Sequence, residues 1–273
     1  MTYALRRRTD DRQVTRSRYH AATPSHPPEV TVAPRSTPLR PDTSAPHTWI
    51  CQHGGVSTTF FVDIWSDVVC PFCYLGHRQF RAALERFEHR EHVVVRHHAF
   101  ELDPRAPLSD GTPLDEMLAA KYSIPVQQAA AWNQRVADDA RRLGMEWSLD
   151  RARPTNTLDA HRLIALAARQ GRQDEMLERL FRAYFSEGLL VSDHDTLDRL
   201  AQETGVVGAA KMLETDVGVD AVRHDEHLAA RIGITGVPAL ILDGGVHLSG
   251  AQGTPAMYEA LCTAWAQRQA TPS

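Results

Sequence analysis

Two cysteines separated by two residues lie where a short apolar segment meets a helical one, and this arrangement limits the folds open to the chain. The segment TTFFVDIWS (58–66) is aromatic and β-branched, which predicts a buried strand. CPFCYLGHRQFRAALERFE follows with apolar residues at helical spacing, and HVVVRHHAF (92–100) predicts a second strand. The chain therefore predicts a βαβ unit that carries Cys70 and Cys73 at the start of its helix.

The remainder of the chain predicts how this unit is completed. Residues 103–217 contain successive amphipathic helical segments, several of which end at glycine. Residues 218–232 predict another helix, TGVPALILDGGVHLSG a β-hairpin, and PAMYEALCTAWAQR a closing helix. This order predicts an α/β fold, β-α-β followed by α-β-β-α, in which 57–102 and 218–273 share one small mixed sheet. Residues 103–217 are then an all-helical insertion.

The amino-acid composition limits the cellular compartment and the classes of binding partner that we expect. Residues 1–56 are rich in Pro, Arg, Ser and Thr without periodicity, which predicts a disordered tail. Beyond this tail the chain holds 22 basic and 30 acidic residues, which argues against nucleic acid as a partner. No stretch approaches the length of a membrane span, and nothing in the pattern defines an oligomeric state. Four cysteines in 273 residues are not a disulfide scaffold, so we expect the reducing cytoplasm.

The Cys70–Cys73 pair has three possible roles. A zinc site needs four ligands, and Cys51 and His53, or His77, could complete it. However, no second CxxC or HxxxH is present, so we expect no metal there. A structural disulfide is equally disfavoured, because so small a loop removes little entropy from the unfolded chain. A redox couple accounts for more of the residues.

The redox interpretation assigns unequal roles to the two sulfurs. Cys70 lies where the helix begins, so free backbone N–H groups and the helix dipole favour its thiolate, which is the attacking species. Cys73, one turn later, is expected to be less exposed and to attack the mixed disulfide. Cys70 is thus predicted as the exposed nucleophile and Cys73 as the resolving thiol.

The motifs resemble a known family. VDIWSDVVCPFC, followed by an insertion and TGVPALIL, resembles the thioredoxin superfamily and specifically the DsbA-like oxidoreductases. SDVVCPFCYLG, NTLDAHR and GVPALILDGGVHLSGAQ resemble its cytoplasmic FrnE-type branch, whose relatives include 2-hydroxychromene-2-carboxylate isomerases and kappa-class glutathione transferases. The resemblance covers residues 58–268 and implies a thioredoxin fold with a helical insertion.

The resemblance also implies a substrate-binding segment. Pro238 matches the proline that is cis in thioredoxin folds and faces the active-site cysteine, and the backbone before it, at Val237, pairs with a bound substrate chain. Such a cis bond is rare outside defined turns. Pro71 and Phe72, between the cysteines, are expected to contact substrate as well.

Auxiliary residues are less well defined by the sequence. Asp63 resembles a buried acid that assists proton transfer, but it lies one residue further from Cys70 than usual, and one residue changes the face of a strand unless a bulge intervenes. Asn156 and His161 match polar positions near the inner helix of the insertion. Asn156 could instead cap that helix in a capping box with Asp159. Cys262 shares an apolar stripe and is expected in the core.

Three function classes remain open. The leading one is a thiol:disulfide oxidoreductase acting on protein or small-molecule thiols, without a resident cofactor and with glutathione as a candidate reductant. The second is a glutathione-dependent isomerase or transferase, against which stand Cys70 in place of the usual Ser and Gln252 in place of an expected Asp. The third is a redox-controlled binding module. The Pro71–Phe72 pair indicates a more oxidising couple than a Gly-Pro pair would give, and the sequence leaves the direction of electron flow open.

Overall fold

A mixed β-sheet forms the centre of the fold. The computed structural model describes residues 31–32, 59–109 and 111–270, and for 31–32 the backbone only. The sheet order is β1-β5-β4-β2-β3, with strands β1 Thr31–Val32, β2 Phe60–Ser66, β3 Val93–Ala99, β4 Ala239–Leu242 and β5 Val246–Ser249. The predicted disordered tail, 1–56, lies outside the described residues except for β1, which pairs antiparallel with β5.

Strand β2 is central because it pairs on both sides. It runs parallel to β3 and antiparallel to β4, so the halves of the chain before and after the insertion meet at this strand. Val62 and Ile64 face the core formed with the first and last helices, whereas Trp65 packs with Ala229 on the opposite face. The hairpin turn is made by Asp243 and Gly244, both at positive φ (47° and 74°), as the Asp-Gly-Gly sequence predicts.

Nine helices surround this sheet within the described residues. They are α1 Pro71–Glu85, α2 Leu114–Tyr122, α3 Val126–Arg142, α4 Leu158–Ala168, α5 Gln173–Arg182, α6 His194–Glu203, α7 Ala209–Leu213, α8 Val219–Arg231 and α9 Thr254–Ala270. Helices α1 and α9 pack together on one face of the sheet and α8 on the other. Helices α2–α7 all fall in the predicted insertion. The periodicity does not predict α7, which is too short to develop an amphipathic stripe.

The insertion packs directly on the first helix of the βαβ unit. The ring of Tyr74 in α1 stacks between Trp147, Phe181 and Phe185 at centroid distances of 5.7, 5.0 and 5.8 Å. Each such aromatic pair contributes about 0.5–1.5 kcal/mol beyond the burial of its surface. Cys70 and Cys73 belong to the same buried cluster, so the cysteine pair lies at the boundary between sheet and insertion.

The described helices also bear on membrane association. None of them combines the length and the apolarity required to cross a lipid bilayer.

Candidate active site

Cys70 occupies the position directly before the first turn of α1. Its φ and ψ of −87° and 114° are extended, and its carbonyl accepts hydrogen bonds from the N–H groups of Cys73 (3.0 Å) and Tyr74 (3.3 Å). Pro71 begins the helix, where a missing N–H costs nothing. The turn before the helix is closed by a hydrogen bond from Cys70 N–H to the Asp67 carbonyl, at 3.1 Å. The cysteine pair therefore stands at the positive end of α1.

The loop before β4 lies against this turn. The Cys70 thiol donates to the Val237 carbonyl oxygen, with 3.7 Å between the sulfur and the oxygen. The Val237–Pro238 peptide bond is cis, the geometry that the resemblance implies. Pro238 packs on Gly76, where an added Cβ would lie 3.2 Å from the proline Cγ, so the glycine permits the close approach. Among the described residues no group accepts a hydrogen bond from the Val237 N–H.

The structure corrects the expectation that Cys70 is exposed. Cys70 is 4% exposed and Cys73 2%, so burial distinguishes them only slightly. Both cysteines belong to a buried cluster that consists largely of residues of the insertion. Phe72, by contrast, is 46% exposed and lies on the rim of the site.

The two sulfurs differ in their electrostatics. Burial raises the pKa of the Cys73 thiol well above its ordinary value, and the neighbouring Cys70 raises it further. A backbone hydrogen bond from Asp67 lowers the pKa, and the charge of the Asp67 carboxylate raises it by a smaller amount. Cys73 thus holds its proton firmly and needs a base to lose it.

A buried acid that the sequence reasoning missed lies beside this pair. Asp67 is 1% exposed, and its Oδ2 accepts a hydrogen bond of 2.7 Å from Leu102 N–H. Its Oδ1 is 3.4 Å from His161 Nε2, and neither of these two atoms has a hydrogen-bond partner among the described residues. The available signal was an Asp three residues before Cys70, in the turn that directly follows the strand.

Asp63, the acid chosen from the sequence, lies elsewhere. Its side chain forms two hydrogen bonds with Arg96 (2.7 and 2.6 Å) and one with His98 (2.8 Å). Strand β2 pairs in register with β3 from Phe60 to Ser66, so no bulge turns Asp63 toward the cysteines. The odd spacing puts it on the face opposite Ile64, toward α8, and the proposed role in proton transfer is wrong for this residue.

Asn156 and His161 contact acidic side chains, Glu101 and Asp67, rather than the cysteines themselves. The Asn156 amide donates to Glu101 Oε1 at 3.4 Å, and its carbonyl oxygen accepts from Leu158 N–H at 2.9 Å, which caps the first turn of α4. The reciprocal half of the predicted capping box is absent among these residues, because Asp159 binds Arg162 and His194 instead. His161 contacts the site through Asp67.

Within the part of the chain that the structure describes, Cys262 and Gln252 form no hydrogen bond with the cysteine pair. Cys262 is a free thiol, half-buried against the core between α1, α9 and the sheet, as expected for a core residue. The Gln252 amide donates to the Ser249 carbonyl. Cys51 and His53 lie outside the described residues.

These features define a class of protein: a thioredoxin fold with a helical insertion, in which a CxxC pair at a helix N-terminus faces a cis-proline loop. Residues 61–262 match the family described as "DSBA-like thioredoxin domain". The chain belongs to this family.

Individual relatives agree with that assignment. The chain is 30% identical over 207 residues to the "Uncharacterized protein YwbO" of Bacillus subtilis (strain 168), covering 74% of this chain and 96% of YwbO. The crystal structure of the probable DsbA oxidoreductase SCO1869 from Streptomyces coelicolor superposes with a TM-score of 0.74 at 37% identity. That alignment covers 78% of this chain and 92% of that one.

More distant structures share the fold. A 2-hydroxychromene-2-carboxylate isomerase has a TM-score of 0.58 at 14% identity, covering 78% of this chain and all of that chain. The cytosolic disulfide reductase DsbM from Pseudomonas aeruginosa has a TM-score of 0.55 at 18% identity, covering 77% and 100%. The family is therefore the DsbA-like one that the motifs indicate, and these distant structures share its fold.

Proposed function

We propose that this protein is a thiol:disulfide oxidoreductase that cycles Cys70 and Cys73 between a dithiol and a disulfide. One observation supports this most strongly: the Cys70 sulfur lies at the N-terminus of α1, 3.7 Å from the carbonyl that precedes cis-Pro238. A sulfur at this position stands at the positive end of the helix and beside a strip of backbone on which a substrate can bind. Cys73, with its raised pKa, waits as the protonated partner.

The reaction follows from these unequal roles. The Cys70 thiolate attacks one sulfur of a substrate disulfide and bonds to it, and the other substrate sulfur leaves as a thiolate that takes a proton from water. Cys73 then loses its proton, its sulfur attacks Cys70 Sγ, and the second substrate sulfur leaves as a thiol. The substrate has gained two electrons and two protons, and the protein holds a Cys70–Cys73 disulfide. The same steps in reverse oxidise a dithiol substrate.

The second step needs a base, and Asp67 fits this role better than Asp63. Its buried carboxylate is close enough to Cys73 to raise the pKa of the thiol. Its Oδ1 has no hydrogen-bond donor except the approach of His161 at 3.4 Å, so it is free to accept a proton. His161 would act as a positioning residue that holds this carboxylate.

The surroundings of Cys70 favour small or flexible substrates. Because Cys70 is only 4% exposed, the disulfide of a rigid folded surface could not reach its sulfur without movement of the insertion. An extended peptide or a small thiol can approach along the Val237 N–H, with Phe72 as an exposed apolar contact. Pro71, between the two cysteines, would contact the bound peptide. We propose glutathione as the reductant, two molecules of which would restore the dithiol as one oxidised glutathione forms.

The test is reduction of insulin disulfides with glutathione as the electron source. Replacement Cys70→Ser removes the nucleophile and should reduce the rate to that of glutathione alone. Cys262→Ser is the matched control, because it removes a thiol outside the site and should leave the rate unchanged. Full activity in Cys70→Ser would refute the proposal.

The glutathione-dependent isomerase class is the second candidate, favoured by the shared fold of the 2-hydroxychromene-2-carboxylate isomerase. It predicts tight glutathione binding and retained function in Cys70→Ser, with no insulin reduction by the native chain.

A redox-controlled binding module predicts capture of a protein partner that depends on oxidation of Cys70 and Cys73, with negligible turnover. The insulin assay separates the oxidoreductase from the other two classes, and tight glutathione binding separates the isomerase from the binding module.

A further inference from the structure

A second cluster of polar side chains lies where the insertion meets the βαβ unit. His77 projects from α1 one turn beyond Cys73, and His97 projects from β3. Asp174 and Glu178 are one turn apart on α5, so they share one face of that helix. Three elements that are distant in sequence therefore bring two imidazoles and two carboxylates together.

The imidazoles in this cluster have no hydrogen-bond partners. Both histidine side chains are only 4% exposed, and none of their four ring nitrogens forms a hydrogen bond within the described residues. Leaving a buried polar group unsatisfied costs about 1–3 kcal/mol. Two such rings side by side need an explanation other than packing.

The distances suggest what satisfies them. His77 Nε2 is 3.2 Å from Glu178 Oε2 and 3.8 Å from Asp174 Oδ1, and His97 Nε2 is 3.5 Å from the same Asp174 oxygen. Ligand atoms about 2.0–2.1 Å from a tetrahedral zinc ion lie about 3.3–3.4 Å from one another. These three separations are close to that spacing, and the four imidazole nitrogens form no direct hydrogen bonds within the described residues.

Asp174 and Glu178 each direct one carboxylate oxygen toward the histidines. The other oxygen of each carboxylate is bound by residues outside the cluster. Arg81 pairs with Asp174 Oδ2 at 3.1 Å and leaves Oδ1 to the imidazoles. Arg78 (3.0 Å) and the Tyr74 hydroxyl (3.1 Å) both bind Glu178 Oε1 and leave Oε2. Such outer hydrogen bonds orient the carboxylates that bind metal ions in proteins.

We propose that His77, His97 and Asp174 bind a divalent transition-metal ion of the zinc type, with Glu178 beside the site at 3.2 Å from His77. The candidate ligand atoms of the first three residues all lie within 4.8 Å of one another. Two imidazoles and one carboxylate suit Zn²⁺, or Co²⁺ as its spectroscopic substitute, and leave a fourth position for another ligand. Because the three ligands come from α1, β3 and α5, the bound ion would hold α5 of the insertion to α1 and β3.

The protonation states agree with this assignment. Burial lowers the pKa of His97, which keeps its imidazole neutral and able to bind a cation. Burial alone would raise the pKa of Asp174, but its contact with His97 and the charge of Arg81 favour the ionised form and lower the pKa. The carboxylate is therefore ionised across the physiological range.

The test uses the full chain carrying Cys70→Ser and Cys73→Ser, which removes the thiolates as competing ligands. Titration with Co²⁺ should give one tightly bound equivalent, with visible absorption bands of a tetrahedral ion and no sulfur-to-metal charge transfer. One equivalent of Zn²⁺ should displace the Co²⁺ and raise the melting temperature. The proposal is independent of the redox assignment, because the active cysteines are absent.

Substitution of the proposed ligands tests where the ion binds. His97→Gln and Asp174→Asn should each weaken Co²⁺ binding by at least about 100-fold, more than the 10–100-fold typical of outer hydrogen-bond partners. Exposed His227 on α8 supplies the control, since His227→Gln should bind like the parent. Asp174 is partly exposed, so Asp174→Asn keeps the test valid if His97→Gln fails to fold. Absence of stoichiometric binding in the folded parent, or equal binding in the parent and Asp174→Asn, would overturn the site.

Discussion

His97 and His98 are neighbours on β3, yet they experience opposite environments. His98 faces α8, where its two ring nitrogens lie 2.8 Å from Asp225 and 2.8 Å from Asp63 and its ring stacks on Trp65 at 4.4 Å. His97 faces α1 and α5, and its ring nitrogens have no hydrogen-bond partner in the described structure. One polar cluster is complete with the chain's own groups, and the other is not.

The pKa values of the two histidines are shifted in opposite directions, in agreement with this contrast. Burial would lower the pKa of His98, but hydrogen bonds and charges from Asp225 and Asp63 outweigh it and raise the pKa to about 9. Burial lowers the pKa of His97, and its contact with Asp174 does not compensate. The α8 face of the sheet is thus a satisfied structural network. The incomplete polar groups lie on the opposite face, together with Cys73.

The largest effect expected from this comparison concerns the stability supplied by His98. Because its pKa is raised, its contribution is fully present below the unfolded value near 6.5 and is lost as the pH rises through about 9. The loss amounts to about 3 kcal/mol. The free energy of unfolding, measured with urea at pH 6 and pH 9.5, should fall with pH in the native chain.

His98→Gln should remove most of that pH dependence and lower the stability at pH 6 toward the alkaline value. His227→Gln, which replaces an exposed histidine, is the control and should follow the native profile. If His98→Gln retains the full dependence between pH 6 and 9.5, the ion-pair network on the α8 face is not its source.

A smaller effect separates the acids on the two faces. Asp67→Asn removes the proposed base for Cys73, so turnover of a disulfide substrate should fall roughly 100-fold, at the low end of acid–base effects. The mixed disulfide on Cys70 should accumulate, because its resolution becomes the slow step. Rapid-quench analysis of the mixed disulfide measures this directly.

Asp63→Asn is the matched substitution on the opposite face. It should leave turnover within about twofold while weakening the His98 network, since it touches Arg96 and His98 rather than the cysteines. Equal slowing by both substitutions would contradict the assignment of the base to Asp67.

The sequence predicted what depends on local pattern. Strand β2, helix α1, the hairpin and the closing helix follow from periodicity and turn residues, and the position of Cys70 at a helix start follows from the same pattern. The cis geometry at Val237–Pro238 came from the resemblance and not from periodicity. These features can be predicted without knowing which distant segments of the chain come into contact.

The features that the sequence did not predict depend on tertiary contacts. Cys70 is buried in a cluster that includes residues of α3, more than 50 residues away in the chain. Asp67 was overlooked because it lies in the turn after β2, where the alternation of strand faces no longer applies. The His77, His97 and Asp174 cluster is assembled from three elements, and no spacing within any one of them signals it.

The division of labour between the two sulfurs is the central claim, and trapping of the mixed disulfide tests it most directly. Cys73→Ser treated with oxidised glutathione should accumulate one glutathione per chain, located on Cys70 by mass spectrometry of the proteolytic peptides. Cys70→Ser under the same conditions should remain unmodified at Cys73, whose buried thiol keeps its proton. Glutathione on Cys73 in Cys70→Ser, with none on Cys70 in Cys73→Ser, would contradict the account.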